Sequence, residues 1–311
     1  MKIARTILEC REGVRQARRE GKTVGLVPTM GALHAGHLEL IKRCRAECGY
    51  AGVSIFVNPI QFGPREDLSK YPRPIERDLE MCEKAGVDLV FNPGVGEMYP
   101  ERLEEEKNLG RDAQATEEKC GQDGRGTILT YVEVERLGEH LCGASRPGHF
   151  RGVCTVVAKL FNIFQPDVAY FGQKDAQQLA IIRRMARDLN FPVEIRPCPT
   201  VREGDGLALS SRNRYLGEEE RRQAVCLWQA LQAARELGAV GEREGRRIIG
   251  AMEGVIKRNP LARIDYISIV DQELLQPLEV VDRPALIALA VYVGGTRLID
   301  NILVEPGEGI S

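Results

Sequence analysis

The chain has 311 residues, of which 43% are hydrophobic and 28% charged, and this composition excludes a wholly disordered protein. Its 43 basic and 45 acidic residues leave a formal charge of −2, without the positive excess that favours nucleic-acid binding, so no nucleic-acid partner is expected. No apolar run approaches the roughly 18 residues that cross a bilayer, so no membrane span is expected either.

The first stretch, MKIARTILECREGVRQARREGK, carries charges that interrupt any apolar segment of the kind that a signal peptide needs. Nine cysteines are scattered along the sequence, an odd number without any CxxC pair. A secreted protein would normally pair its cysteines. These features predict reduced thiols and a cytoplasmic protein.

Short apolar runs rich in Val, Ile and Phe alternate with helical patterns up to about residue 200. Apolar side chains continue through each run, which is typical of strands buried on both faces. Intervening helices indicate right-handed crossovers, so the runs predict a parallel sheet. The predicted strands lie within 23–29, 51–59, 87–93, 166–172 and 191–200, and the clearest helices within 36–48 and 148–164.

A different rhythm follows residue 200, with helical patterns at 218–237 and 243–258 before three apolar runs, IDYISIV, ALIALAVYV and TRLIDNILV. Gly294 and Gly295 separate the last two runs and favour a tight antiparallel hairpin. We therefore predict an α/β protein. A Rossmann-like, doubly wound parallel sheet at 1–200 is followed at 201–311 by a smaller α+β domain with a short antiparallel sheet. The charged segment 101–126 is interpreted as a solvated loop inserted in the first domain.

Polar side chains follow several predicted strands, where an open parallel sheet binds its ligands. The sequence therefore predicts that four distant segments meet in one cleft. They contribute Thr29, Met30, His34 and His37 from the first; Asn58 and Gln61 from the second; Gln173, Lys174 and Asp175 from the third; and SSRNR, residues 210–214, from the last.

His34 and His37 lie in VPTMGALHAGHLELI, where a strand passes into a helix among glycines. Backbone N–H groups at a helix start attract anions, and glycine allows a phosphate to approach closely. Both imidazoles could donate hydrogen bonds to a phosphate. The alternative is that they are ordinary surface or capping histidines. Zinc is disfavoured because no cysteine or third histidine stands nearby at ligand spacing.

Two cationic residues extend this interpretation. Lys174 follows YFG at a strand end and could supply a point charge to polyphosphate, although a solvated lysine would look the same. Arg212 lies beside the hydroxyls of LSSRNR, a grouping that could hold phosphate oxygens or simply cap a helix.

The stretches PTMGALHAGH, FVNPIQFGPREDLSKYPR, SRPGHFRGV, YFGQKDAQQL and PTVREGDGLALSSRNRYL resemble the pantothenate synthetase (pantoate:beta-alanine ligase) family along most of the chain. The His-x-Gly-His element resembles the wider nucleotidylyltransferase superfamily. The resemblance implies a two-step reaction of coenzyme A biosynthesis. ATP and pantoate give pantoyl adenylate and pyrophosphate with Mg²⁺, and β-alanine then yields pantothenate and AMP. It also implies a homodimer.

By the same resemblance, the catalytic residues are His37, His34, Lys174 and Arg212. Gln61 and Gln178 bind pantoate, Gln61 also binds β-alanine, and Asp78 is linked to the metal. The residues expected to bind ATP are Met30, Gly31, Ala32, Leu33, His34, Ala35, Gly36, His37, Gly172, Gln173, Lys174, Asp175, Val201, Leu209, Ser210, Ser211 and Arg212.

The sequence departs from the family pattern at three of these positions or beside them. Ala176 replaces a usual aromatic residue, Ala35 a common Glu, and Leu209 a common Met. None of these changes removes a predicted hydrogen-bond donor.

Two other functions stay open at this point. A nucleotidylyltransferase acting on a phosphorylated substrate would use the same scaffold. The other is a non-catalytic nucleotide-binding or regulatory module that has kept the fold. The presence of both histidines, the lysine and the arginine argues against such a module. An acyl adenylate hydrolyses readily, so we also expect SSRN, residues 210–213, to close over the phosphates as part of a lid.

Overall fold

The computed structural model describes residues 1–63, 66, 68–100 and 128–305. The charged segment predicted as a loop at 101–126 therefore lies outside the described residues. The first sheet has six strands, all parallel, in the spatial order β1-β4-β3-β2-β5-β6. The strands are β1 (Lys2–Ala4), β2 (Val24–Thr29), β3 (Tyr50–Ile55), β4 (Leu89–Phe91), β5 (Val168–Gly172) and β6 (Glu194–Cys198).

Helices cover both faces of this sheet, as the uninterrupted apolar runs predicted. The helices are α1 (Ile7–Arg19), α2 (Ala35–Glu47), α3 (Ile75–Lys84), α4 (Val95–Met98), α5 (Cys142–Ser145), α6 (His149–Phe164) and α7 (Ala176–Asp188). In β2, Leu26 belongs to the apolar cluster of α1, α6 and α7, whereas its neighbour Val27 belongs to the cluster of α2 and α3. Successive side chains of a strand point to opposite faces, so each strand fills two cores.

The first strand and the first helix were not predicted from the sequence. β1 is three residues long, too short to show a periodicity, and it is defined by its pairing with β4. Helix α1 begins with a capping box in which Thr6 accepts from the Glu9 N–H, and Glu9 in turn accepts from the Thr6 N–H. The many charges of this stretch occupy its exposed face.

The second sheet is antiparallel, with β7 (Ala262–Asp271), β8 (Ala285–Val293) and β9 (Thr296–Val304) in that order. Gly294 at the β8–β9 turn has φ +57° and abuts Glu220, so a side chain there would be both strained and obstructed. This confirms the predicted hairpin. Three helices precede the sheet: α8 (Glu218–Ala224), α9 (Cys226–Ala239) and α10 (Gly245–Ile256).

The two faces of β8 connect the sheets. Leu289 and Val291 pack in the cluster of α9 and α10. Leu286 and Ala288, which point the other way, belong to the same apolar cluster as α6 and α7 of the first sheet. The smaller sheet therefore lies between its own helices and the larger sheet. The boundary at 200/201 remains a prediction.

Gly152 in α6 brings that helix against the segment that carries Gln61. A Cβ built on Gly152 would lie 2.6 Å from both the Gln61 Cα and the Ile60 carbonyl oxygen. The Gly152 carbonyl also accepts a hydrogen bond from Asn58 Nδ2 at 3.1 Å. The missing side chain therefore sets the position of a predicted substrate-binding residue.

Replacing Gly152 with alanine is expected to destabilise the protein by about 1 to 3 kcal/mol, because rigid backbone must shift to admit the methyl group. Thermal unfolding would then move down by several degrees. Gly250→Ala in α10 is the matched control. An added Cβ meets nothing within 4 Å there, and alanine favours a helix. Equal melting temperatures for the two variants would contradict the close approach.

Candidate functional site

The first sheet changes direction between β2 and β5. From β2 the chain moves outward through β3 to β4, and β5 and β6 then build on the other side of β2. Ligands of such sheets bind at this switch point, beyond the carboxyl ends of the strands. A cavity of about 260 Å³ lies there. This inner cavity is lined by Met30, His34, Gly36, His37, Gln61, Gly172, Lys174, Asp175, Gln178, Val201, Leu209, Ser210, Ser211 and Arg212, all named from the sequence.

An outer cavity of about 380 Å³ adjoins the first, between the large sheet and the β7–β9 sheet. Volumes of this order suit a nucleotide or another small molecule. Several residues line both spaces, so the two cavities share a wall. The shared residues are Arg146, His149, Lys174, Asp175, Gln178, Ser210 and Arg212.

The loop between β2 and α2 is held by Asp78 of α3. Gly31 and Ala32 both have positive φ, +88° and +51°, a conformation that glycine adopts freely but alanine only at a cost in free energy. The Asp78 carboxylate accepts the N–H groups of Ala32 and Leu33, each at 2.8 Å. The expectation of free backbone donors at this turn is therefore corrected, since these two N–H groups bind a buried side chain.

The two histidines of the loop are fixed in one tautomer each. The Gly36 N–H donates to His34 Nδ1 at 3.1 Å, and the His34 N–H donates to His37 Nδ1 at 3.4 Å. A nitrogen that accepts carries no proton when the ring is neutral, so the proton of each ring lies on Nε2. Both residues line the inner cavity. Each imidazole can therefore offer one N–H to a ligand.

Burial keeps these rings neutral. It lowers the pKa of His34 to about 4, with help from the charge of Lys174, and the pKa of His37 to about 3, with help from His34. Both rings are neutral hydrogen-bond donors at pH 7. The positive charge of the cavity must then come from lysine and arginine.

Gln61 is oriented as a donor. Its Oε1 accepts from Asn58 Nδ2 at 3.0 Å, and Asn58 is itself fixed by Tyr99, whose hydroxyl donates to Asn58 Oδ1 at 2.7 Å. Gln61 Nε2 lies 3.0 Å from Met30 Sδ at the cavity wall. Sulfur is a weak acceptor, so this amide N–H group can bind an oxygen of a ligand instead.

Lys174 and Arg212 contribute positive charge to both cavities. Within the part of the chain that the structure describes, the one ion pair of the Lys174 ammonium is a 4.0 Å contact with Asp175, and its side chain is 20% exposed. Among the described residues, the Arg212 guanidinium makes no hydrogen bond or ion pair, while its backbone N–H donates to Ser210 Oγ. Both cations can therefore reach an anionic ligand without breaking a strong pair.

Asn301 of β9 fastens the Lys174 segment to the second sheet. This buried amide donates from Nδ2 to the carbonyl oxygens of Gln173 at 3.1 Å and Lys174 at 2.8 Å. Gln173 Nε2 donates back to Asn301 Oδ1 at 3.4 Å. The β7–β9 sheet therefore shapes the wall of the inner cavity.

A family model for pantoate-beta-alanine ligase matches residues 2–303. The pantothenate synthetase of Moorella thermoacetica is 53% identical over 308 residues, which cover 99% of this chain and 100% of that one. The enzyme of Pelotomaculum thermopropionicum is 50% identical over 304 residues, 98% of this chain and 99% of the relative. The chain belongs to the pantoate-beta-alanine ligase family.

Solved structures of this ligase family agree with the fold. The pantothenate synthetase of Thermus thermophilus superposes with a TM-score of 0.84 at 45% identity, covering 97% of this chain and 99% of that one. The pantoate-beta-alanine ligase of Francisella tularensis, crystallised with beta-gamma ATP and beta-alanine, gives 0.73 at 31% identity, covering 99% and 100%.

The structure separates some of the residues expected to bind ATP in this ligase family. Gly31, Ala32, Leu33 and Ala35 do not line the inner cavity, and the first three form its supporting loop. Gln173 lines a separate hollow of about 290 Å³ beside Arg183. Their roles remain predictions.

Sequence analysis gave no role to Arg146, His149 and Asn301, which the fold brings to the cavities of this ligase. His149 is one of only four histidines and follows the helix-starting PG of SRPGHFRG, so its rarity was an available signal. Asn301 gave no such signal. It lies within an apolar strand, and only the tertiary contact with Lys174 reveals its use.

Magnesium was expected with ATP. Within the described residues, no three His, Cys, Asp or Glu side chains are grouped so as to hold a metal ion. Mg²⁺ bound to ATP needs only one or two protein carboxylates, because phosphates and water complete its shell. Asp175 lines the cavity and fits that need, whereas both Asp78 oxygens already accept N–H groups. The role of Asp78 toward the metal remains a prediction.

Two other expectations concern the whole chain. No helix in the described ranges is both long and apolar enough to span a bilayer. The eight cysteines in those ranges are all free thiols.

Acidification is expected to destabilise the ligand-free protein through His37. The unfolded chain binds a proton near pH 6.5, whereas the folded protein resists protonation down to about pH 3. The unfolded state therefore holds more protons between these values, and the free energy of unfolding falls as the pH drops, by up to about 1.4 kcal/mol per pH unit for this group. In urea unfolding at pH 7, 6 and 5, the free energy of unfolding of His37→Gln should fall less steeply with decreasing pH than that of the wild type. Parallel dependences would refute this.

Asn301→Ala is expected to raise the KM for ATP several-fold, because the backbone that positions Lys174 loses two hydrogen bonds. Leaving buried carbonyls unpaired should also cost about 1 to 3 kcal/mol of stability. Asn259→Ala is the control, since Asn259 Nδ2 likewise donates to a carbonyl oxygen, that of Val255, but Asn259 does not line either cavity. Steady-state kinetics should separate the two variants. An unchanged KM for ATP in the first would contradict the positioning role.

Proposed function

We propose that this chain joins pantoate to β-alanine at the expense of ATP. A pantoate carboxylate oxygen attacks the α-phosphorus, the bond to pyrophosphate breaks, and pantoyl adenylate forms. The amine nitrogen of β-alanine then attacks the acyl carbon, AMP leaves with the bridging oxygen, and the amine gives up a proton. Family membership supports this reaction. So does the F. tularensis ligase, which was crystallised with an ATP compound and β-alanine.

One observation carries the proposal. Neutral Nε2–H donors of His34 and His37 line the same cavity as the cations Lys174 and Arg212. During attack, negative charge grows on the phosphate oxygens, and preorganised donors stabilise that charge more than they stabilise the ground state. Neutral imidazoles supply hydrogen bonds without pairing a full positive charge against the attacking carboxylate. The two flexible cations neutralise the leaving pyrophosphate.

Two glutamine side chains of the inner cavity are suited to bind pantoate. Gln61 offers Nε2–H, and Gln178 lines both cavities. An amide donor can orient a carboxylate or hydroxyl without quenching the nucleophile by a full charge. We therefore assign pantoate to the Gln61 side and the triphosphate to the side of Lys174 and Arg212.

Magnesium is part of the proposal. It would neutralise charge on the triphosphate, with Asp175 as the protein carboxylate available in the cavity. The chain's own residues orient the nucleotide and the acid and donate hydrogen bonds to the phosphates. We also infer that SSRN, residues 210–213, closes over the bound nucleotide, since Ser210, Ser211 and Arg212 line the inner cavity.

The homodimer implied by the family resemblance, and the cytoplasmic location predicted from the cysteines and the charged first stretch, belong to the same proposal. Two copies would form a homodimer, which light scattering of the purified protein can establish. A cytoplasmic location fits the free thiols and the need for ATP.

A reaction with ATP, pantoate and β-alanine is expected to yield pantothenate, identified by mass. His37→Ala should reduce turnover by about 100- to 1,000-fold, the usual loss for one oxyanion donor. His140→Ala is the matched control, because His140 lies outside the lining of both cavities. Equal turnover by the His37 variant would remove its assigned role. Pyrophosphate exchange that required a phosphomonoester instead of pantoate would favour a nucleotidylyltransferase, which family membership disfavours.

A further inference from the structure

Arg146 stands where the inner and outer cavities meet, and it lines both. Its guanidinium grips Glu66 with two parallel bonds, Nε to Oε1 at 2.8 Å and Nη2 to Oε2 at 2.5 Å. Its Nη1 lies 3.1 Å from His149 Nε2. About a fifth of each partner of the ion pair remains exposed. The group is therefore fixed in place yet open to a ligand.

His149 determines the direction of its bond with Arg146. His149 Nδ1 lies 2.9 Å from the Gln61 carbonyl oxygen, which can only accept, so the ring proton is on Nδ1. Burial, followed by the charge of Arg146, lowers the pKa of His149 to about 4, so the ring is neutral at pH 7. His149 Nε2 then accepts from Arg146. One imidazole thus links this cation to the backbone of Gln61.

Arg146 still has hydrogen-bond donors available after it has bound Glu66 and His149. A guanidinium has five N–H groups, of which Glu66 takes two and His149 one. Two N–H groups, on Nη1 and Nη2, have no further partner among the described residues. Such a pair is suited to the two oxygens of a carboxylate.

The second substrate of the proposed reaction brings a carboxylate that does not react. β-Alanine is short, so that carboxylate must lie close to the acyl carbon that its amine attacks. Lys174 and Arg212 are assigned to the phosphates. Arg297 lines only the outer cavity and is paired with Asp265 at 2.8 Å. Among the described residues, Arg146 is the remaining cation that lines the inner cavity, and it lies beside the Gln61 segment.

We propose that Arg146 binds the carboxylate of the amino-acid substrate and thereby selects β-alanine over simple amines. The inference rests on the proposed function and extends it to the second step. Glu66 and His149 hold the guanidinium in a fixed orientation, which reduces the entropy lost when the substrate binds. The first step, adenylate formation, does not use this contact.

The test compares β-alanine with propylamine, in which a methyl group replaces the carboxylate. Arg146→Gln should lower the ratio of kcat/KM for the two amines by roughly 10- to 100-fold, as expected for the loss of a charged hydrogen bond. Pantoate-dependent exchange of pyrophosphate into ATP reports the first step alone. It should fall by much less than the amine selectivity does, since the lost carboxylate contact is not made in that step.

Glu66→Gln is the matched control, because it breaks the same ion pair but leaves the arginine. If Arg146 binds the carboxylate, Glu66→Gln loses much less amine selectivity than Arg146→Gln, because the guanidinium is still present although it is held less firmly. If the pair is only structural, both variants behave alike, and the proposal fails. The double variant Glu66→Gln/Arg146→Gln leaves no unpaired buried charge and guards against misfolding of the single one. It should also lose selectivity.

Further outcomes are decisive. The assignment would be wrong if the folded double variant kept the selectivity for β-alanine. It would also be wrong if Arg297→Gln lost that selectivity while Arg146→Gln kept it. Wild-type protein that forms no pantothenate would instead refute the proposed function. The two failures are therefore distinguishable.

Discussion

The site depends on the carboxylate of Asp78. Two consecutive residues with positive φ, Gly31 and Ala32, form a conformation that costs free energy on its own, of the order of 1 kcal/mol or more for alanine. Asp78 stabilises it by accepting the N–H groups of Ala32 and Leu33 from within the core. The loop then presents His34 and His37 at the start of α2, each with its Nδ1 bound to backbone. A shift of this loop would therefore disturb both tautomers together.

In the inner cavity, the residues that donate hydrogen bonds as neutral groups differ from the residues that carry positive charge. Burial makes the histidines neutral donors, while Lys174 and Arg212 supply positive charge to the same cavity and have few partners among the described residues. A bound triphosphate could therefore meet cations and neutral donors in one half-buried space. Partial exclusion of water there strengthens both kinds of interaction with charge that develops during adenylate formation.

The parallel sheet and the C-terminal hairpin could be predicted because they leave local signals in the sequence. About half of the inner-cavity lining was also named in advance, from the polar strand ends and from the family resemblance. Apolar runs mark buried strands, and paired glycines mark the turn after β8. The sequence did not predict β1, whose three residues carry no period, or the use of Asp78 as a loop anchor. That use depends on α3 packing beside the β2–α2 loop. Ala32 and Asp78, which meet there, are 46 positions apart in the sequence. Arg146 and Asn301 were missed for the same reason.

Asn301 makes an early part of the chain depend on a late one. It belongs to β9, the last strand of the described chain, yet it secures the backbone around Lys174, which emerges from the ribosome much earlier. A nascent chain that has folded its first sheet still lacks this final fastening. The wall that would face the nucleotide takes its finished shape only once the last hairpin docks, so a polypeptide that lacks β9 is expected to hold Lys174 less precisely.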